Sequence, residues 1–174
     1  MVCDDISNII GEFEKFKGVD LVFGGPPCQG FSVAGKMNPN DERSKFILTF
    51  LDAVEKIQPR AFIMENVKAL AVLDKWKSIR ERYLNKAIGL GYTCIPFVLN
   101  ATEYGVPQKR ERVFFIGFKD ELAPSHSDQV RNLIEQQKQP AMTVRDSLRK
   151  LGRAGTEKIQ ILVQLKLHLL QIQL

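Results

Sequence analysis

Histidine and cysteine are scarce in this sequence, and their scarcity removes several chemistries at once. The 174 residues hold two histidines and three cysteines. His126 and His168 stand in a polar stretch and in the C-terminal tail, so no histidine accompanies Cys28 and a cysteine–histidine hydrolase is a poor reading. Cys3, Cys28 and Cys94 are odd in number and widely spaced, and no Cys-x-x-Cys pair occurs. That argues against a bound metal or a disulfide framework and for a reducing, intracellular compartment. No uninterrupted apolar run reaches membrane-spanning length, and Met1-Val2-Cys3-Asp4-Asp5 offers neither a basic n-region nor an apolar h-region. Secretion and membrane insertion are both disfavoured. No tandem repeat is present.

What is there suits a globular chain with a sizeable core: 44% of residues are hydrophobic and 26% charged. A net charge of +5 permits a phosphate-bearing partner without demanding one. Val19 to Phe23 is a short apolar run stopped by Gly24-Gly25-Pro26-Pro27, the pattern of a buried strand ending in a loop. Asp41 to Ile57 predicts a helix, with Phe46, Ile47, Phe50, Leu51, Val54 and Ile57 at helical spacing and Pro59 closing it. Ala61 to Met64 is a second buried strand, and strand, helix, strand in that order suggests a parallel α/β sheet. Leu73 to Ile88 predicts another helix. Tyr92 to Leu99 and Arg112 to Phe118 predict two more strands, separated by a turn-rich connection with Gly105 and Pro107. From Ala123 to Gln139 the chain is polar, and Thr143 to Leu148 can open a short helix. Ile159 to Leu174 alternates apolar with mostly polar residues and contains no acid, glycine or proline.

Three stretches can carry chemistry. In "GGPPCQGFS", Gly24 to Ser32, two prolines remove backbone donors and fix φ directly before Cys28, at a strand end where ligands of open α/β sheets sit. Taken alone, Cys28 is either a nucleophile held in place by that turn or a small buried residue. Glu65-Asn66-Val67 follows the second strand, so Cys28 and Glu65 emerge at one sheet edge if the two strands are neighbours. Glu65 by itself also reads as a helix cap or a surface charge. Gln108, Arg110 and Arg112 project to one side if their segment enters the next strand extended, where arginine forks suit phosphate or a base oxygen. A solvated charge run is the competing reading.

Together, Gly25-Pro26-Pro27-Cys28-Gln29-Gly30-Phe31-Ser32, then Glu65-Asn66-Val67, then Tyr104-Gly105-Val106-Pro107-Gln108-Lys109-Arg110-Glu111-Arg112 resemble the DNA (cytosine-5)-methyltransferase family in order, spacing and strand placement. The likeness extends from about Asp5 to Leu148. It implies a Rossmann-like, S-adenosylmethionine-dependent α/β sheet. In such enzymes the residue matching Cys28 attacks C6 of a cytosine flipped out of double-stranded DNA, activating C5 for methylation. Glu65 would bind the N3 and N4 edge, Arg112 the base O2, and Arg110 would support the catalytic loop. The resemblance further implies Gln29, Ser32, Asn66 and Gln108 on the DNA or its displaced base, within a mobile loop from Gln29 to Asn40 for the first two. Asp5, Ile6, Pro26 and Phe46 would meet the cofactor. Ser44 stands where the family often has glycine, and Phe46 where leucine is more usual.

The family's glycine-rich Phe-x-Gly-x-Gly loop is absent from the sequence. The chain is therefore expected to lack the first strands of the usual sheet and the target-recognition domain. Residues 1–122 are expected to form a partial catalytic domain, 123–155 a linker toward that missing region, and 156–174 an atypical tail of the kind a frameshift produces. Two readings of function follow. One is a catalytic fragment acting on DNA in a bacterial cytoplasm, beside the nucleoid, with a second chain completing it. The other is an inactive remnant or DNA-binding fragment that retains Cys28, Glu65 and Arg112.

Overall fold

The computed structural model describes residues 4–27 and 46–149. Cys28, Gln29 and Ser32, the loop to Asn40, the helix residues before Phe46, and the tail 156–174 lie outside the described residues. The chain divides into two compact units: Met1–Asn100 with Glu111–Gln137, and Ala101–Arg110 with Lys138–Leu174.

The first unit is built on four strands, β1 (Leu21–Gly24), β2 (Ala61–Val67), β3 (Tyr92–Asn100) and β4 (Glu111–Lys119), in the order β1-β2-β4-β3. The expected strand-helix-strand unit is present: β1 and β2 run parallel, Leu21 opposite Ala61 and Gly24 opposite Met64, joined through α2 (Phe46–Ile57). The sheet as a whole is mixed rather than parallel, because β4 lies between β2 and β3 and is antiparallel to both. The cause is the connection. Only residues 101–110 separate β3 from β4, too few for the crossover that parallel neighbours require.

Alternation along β2 decides what each face of the sheet does. Phe62 and Met64 point to the face covered by α2 and by α4 (Lys77–Gly89), where they pack with Ile47, Leu51, Val54, Trp76 and Tyr83. Helical spacing delivers the α2 residues to that face, as expected, except that Phe46 stays half-buried at its margin. The opposite face carries Ile63, Phe97, Ile116 and Phe118, packed with Leu122, Val130 and Ile134. The last two belong to α5 (Ala123–Gln136), a helix in the polar stretch expected to be linker. The i,i+4 pair Val130 and Ile134 is enough to seat it, so the sheet unit runs on to Gln137. Ahead of β1, α1 (Ile6–Ile9) and a 3-10 segment to Phe16 are tied to α2 by the Lys56–Glu14 ion pair and by Gly18 donating to the Ile57 carbonyl.

In the second unit, Gln139 donates its backbone N–H to the Glu103 carbonyl at 2.8 Å, and Lys138 pairs with the Glu103 carboxylate at 3.2 Å. The short α6 (Val144–Arg149) is capped by Thr143, whose hydroxyl accepts from the Asp146 N–H while the Asp146 carboxylate accepts from Thr143. Between them α3 (Lys68–Val72) and α4 form the β2-to-β3 crossover of the first unit. Among the described residues no helix is long and apolar enough to cross a membrane, and no cluster of His, Cys, Asp or Glu is placed to hold a metal ion.

Two expectations follow from the packing. The Phe62 ring lies directly against Gly117, and a β-carbon there would fall inside it. Gly117→Ala should therefore lower stability by about 1–3 kcal/mol, read as a drop in urea midpoint at unchanged m-value. Cys94 is half-buried against the core, and burial pushes its thiol up to about 12 from an ordinary 9.0. Its alkylation by iodoacetamide at pH 8 should run at least about a hundredfold slower than that of an unfolded-chain thiol, and equal rates would contradict the burial. Because the folded value is raised, stability should be full below pH 9 and fall as pH rises from there toward 12.

Candidate functional site

Past Gly24 the backbone ladder between β1 and β2 stops, and in the turn that follows Pro26 and Pro27 have no N–H to donate. The carboxyl ends of these two parallel strands thus leave a concave edge, the usual ligand position in an open α/β sheet. β2 continues three residues beyond the expected end, so Glu65, Asn66 and Val67 are strand residues held by pairing to β4.

Glu65 opposes Phe114 and Val67 opposes Arg112, which puts Glu65 and Arg112 diagonally on one face. Arg112 Nε meets Glu65 Oε1 at 2.9 Å, both side chains about three-quarters buried. Arg112 Nη1 also donates to the Glu111 carbonyl at 2.8 Å, so these two contacts use two of its five donors. Next to the pair, Lys68 and Glu111 form a second one at 2.7 Å. On the β1 side, a β-carbon on Gly25 would sit 3.3 Å from Glu65 Oε2, and the bare glycine keeps the carboxylate close to the backbone of the turn. A fixed carboxylate and a fixed guanidinium, acceptor beside donor, suit a flat polar edge carrying both kinds of group.

Asn66 departs from expectation. Strand alternation turns it to the face opposite Glu65, where it is 1% exposed, and its Nδ2 donates to the Pro26 carbonyl at 3.2 Å. It lies inside the fold and not on the surface. The extended reading of Gln108 to Arg112 holds for Arg112 alone. β4 begins at Glu111, and Gln108 lies in a bend, its N–H bonded to the Val106 carbonyl at 2.8 Å. Gln108 and Arg110 belong to the second unit.

Ile6, Pro26 and Phe46, three of the four residues expected to meet a cofactor, line one cavity of about 420 Å³. Asp5 immediately precedes it, its carboxylate accepting from the Ser7 N–H at 2.8 Å as the cap of α1. Phe13, Pro27 and Phe50 line the same cavity and escape the sequence reading. Phe50 was legible in principle, since it follows Phe46 by one helical turn, but the same spacing also marks core residues, and Phe50 serves in both. The chemistry of this set, aromatic rings and prolines around one cavity, fits a flat heterocycle such as adenine.

Comparison with known proteins identifies the family. Residues 1–168 match the family described as C-5 cytosine-specific DNA methylase. The Type II methyltransferase M.AquIA of Picosynechococcus is 39% identical over 155 residues, covering 78% of this chain and 62% of that protein. The Type II methyltransferase M.AgeI of Thalassovita gelatinovora is 38% identical over 149 residues, covering 76% of this chain and 34% of that protein. The chain thus spans between a third and two-thirds of the length of these relatives. A crystal structure described as a DNA modification methyltransferase encoded within an E. coli prophage superposes with a TM-score of 0.62 at 34% identity, over 83% of this chain and 40% of the other. The S. pombe Dnmt2 methyltransferase shares the fold, with a TM-score of 0.50 at 18% identity over 90% of this chain and 41% of its own. The mixed α/β sheet is that of DNA methyltransferases, and the chain belongs to the C-5 cytosine-specific DNA methylase family.

Proposed function

We propose that this chain carries the cytosine-activating part of a DNA (cytosine-5)-methyltransferase. The observation that supports this most is the Glu65–Arg112 pair at 2.9 Å on β2 and β4, with the Glu65 carboxylate against Gly25 in the turn that runs from β1 through Pro26 and Pro27 toward Cys28. Cytosine offers along one edge an amino donor at N4, a ring nitrogen at N3 and an acceptor at O2. A protonated carboxyl group serves the first two, one oxygen accepting from the N4 amino group and the O–H donating to N3, and a guanidinium donates to the third. The target base has to leave the duplex to reach them.

The Cys28 thiolate adds to C6, and the C5=C6 electron pair moves toward C5 while N3 takes a proton from the Glu65 carboxylic acid. Arg112 offsets negative charge that develops at O2. S-adenosylmethionine, when bound, supplies the methyl carbon that C5 takes. Loss of the C5 proton to base then releases the Cys28 thiolate, and N3 returns its proton to Glu65 as the ring is restored. Ile6, Pro26, Phe46 and Phe50 would hold the adenine of the cofactor and Asp5 would stand at its edge. Because no Phe-x-Gly-x-Gly loop occurs in the sequence, polypeptide outside these 174 residues would hold the methionine end and read the DNA sequence.

Random-sequence DNA duplexes with 5-fluorocytosine in place of cytosine trap the covalent stage, since fluorine cannot leave as the proton does. With S-adenosylmethionine present, the chain should give a denaturant-stable protein–DNA adduct by mass spectrometry, mapped to Cys28. An adduct surviving Cys28→Ser would overturn the nucleophile, and none from the unsubstituted chain would favour the inactive remnant. Glu65→Gln keeps the shape but not the proton, and should slow adduct formation by about a hundredfold, timed in single-turnover gels.

A further inference from the structure

The geometry points to Asn66 as a positioning residue that locks the turn leading into Cys28 onto the strand that carries Glu65, a role that deepens the proposed methyl-transfer reading and rests on it. Asn66 is the buried polar side chain on β2, 1% exposed and on the face of the strand that Phe62 and Met64 share. Burying an amide is costly unless its groups are bonded, so its partners reveal its use. Its Nδ2 donates to the Pro26 carbonyl at 3.2 Å, and its Oδ1 accepts from the Val67 N–H at 2.9 Å. One side chain therefore ties the turn after β1 to the last residue of β2.

The tie falls where the backbone cannot supply one. The β1–β2 ladder ends at the Gly24–Met64 pair, and beyond Gly25 the turn has two successive residues, Pro26 and Pro27, with no donor. Without Asn66 the turn would hang from β1 by the flexible Gly24-Gly25 link alone. With it, the Pro26 carbonyl is fixed one residue along β2 from Glu65, whose own carboxylate packs over Gly25. Pro26 and Pro27 themselves restrict the backbone beyond that fixed carbonyl. A nucleophile that follows the turn after β1 and a proton donor on β2 work on one base only at a constant separation, and misplacement by about 1 Å can cost a hundredfold in rate.

This assigns Asn66 to the chemistry step and not to DNA binding, and the two roles separate experimentally. Asn66→Ala removes both bonds without adding charge. On the 5-fluorocytosine duplexes, it should slow Cys28 adduct formation by about tenfold or more while the Kd for the same DNA changes by less than about threefold. A weakened Kd with an unchanged adduct rate would overturn the assignment, as would no change in either. If the unsubstituted chain forms no adduct, the proposed function fails, and the positioning role is decided without DNA. Iodoacetamide alkylation of Cys28 should then rise relative to Cys3 by about threefold in Asn66→Ala as the turn loosens, and an unchanged ratio would overturn it. Asn66→Ser, which keeps a small polar group in the cavity, carries the same expectations should the alanine chain fail to fold.

Discussion

A carboxylate three-quarters removed from water is held there only at a cost, and the Arg112 guanidinium is what offsets it for Glu65. The pair exists because β4 lies beside β2 in antiparallel register, which brings Arg112 diagonally onto the face of Glu65. Had β4 run at the sheet margin, the two charges would sit on separate strands with β3 between them. The insertion of β4 at the centre of the sheet is thus both a matter of topology and the condition for the site.

The same strand divides labour by its pleat. Phe62, Met64 and Asn66 face the helices α2 and α4, while Ile63 and Glu65 face the other way. One side of β2 therefore anchors the core and the hydrogen bond to Pro26, and the other presents the carboxylate. Gly117 opposite Phe62 and Gly25 beside Glu65 are the small residues that let neighbouring groups approach on each side. The cavity lined by Ile6, Pro26 and Phe46 is also walled by Val22 and Phe23 of β1, and a cofactor there would share Pro26 with the turn toward Cys28.

Much of this was legible in the residues. Apolar runs ended by glycine and proline marked β1, helical spacing marked α2, and the order of the two with Ala61 to Met64 predicted the parallel pair. Glu65 and Arg112 became candidates only through the spacing of three motifs, since a lone carboxylate after a strand has several ordinary uses. The rest depended on long-range pairing, which local pattern does not encode. Nothing in Tyr92 to Phe118 announces that β4 enters between β2 and β3. The polarity of 123–139 hid α5, because a two-residue apolar stripe suffices to dock a helix on a broad sheet face. Asn66 looked like Glu65's neighbour in function because it is its neighbour in sequence, and strand alternation makes adjacent residues face opposite ways.

The central claim is that Glu65 and Arg112 together receive the edge of a single displaced cytosine beside the turn into Cys28. A crystal structure of the chain bound to a trapped 5-fluorocytosine duplex tests this most directly. The account predicts the base with N3 and N4 within hydrogen-bond distance of the Glu65 carboxylate, O2 on Arg112, and a bond from Cys28 sulfur to C6. A base held elsewhere, with the Glu65–Arg112 pair closed and untouched as in the free chain, would contradict it.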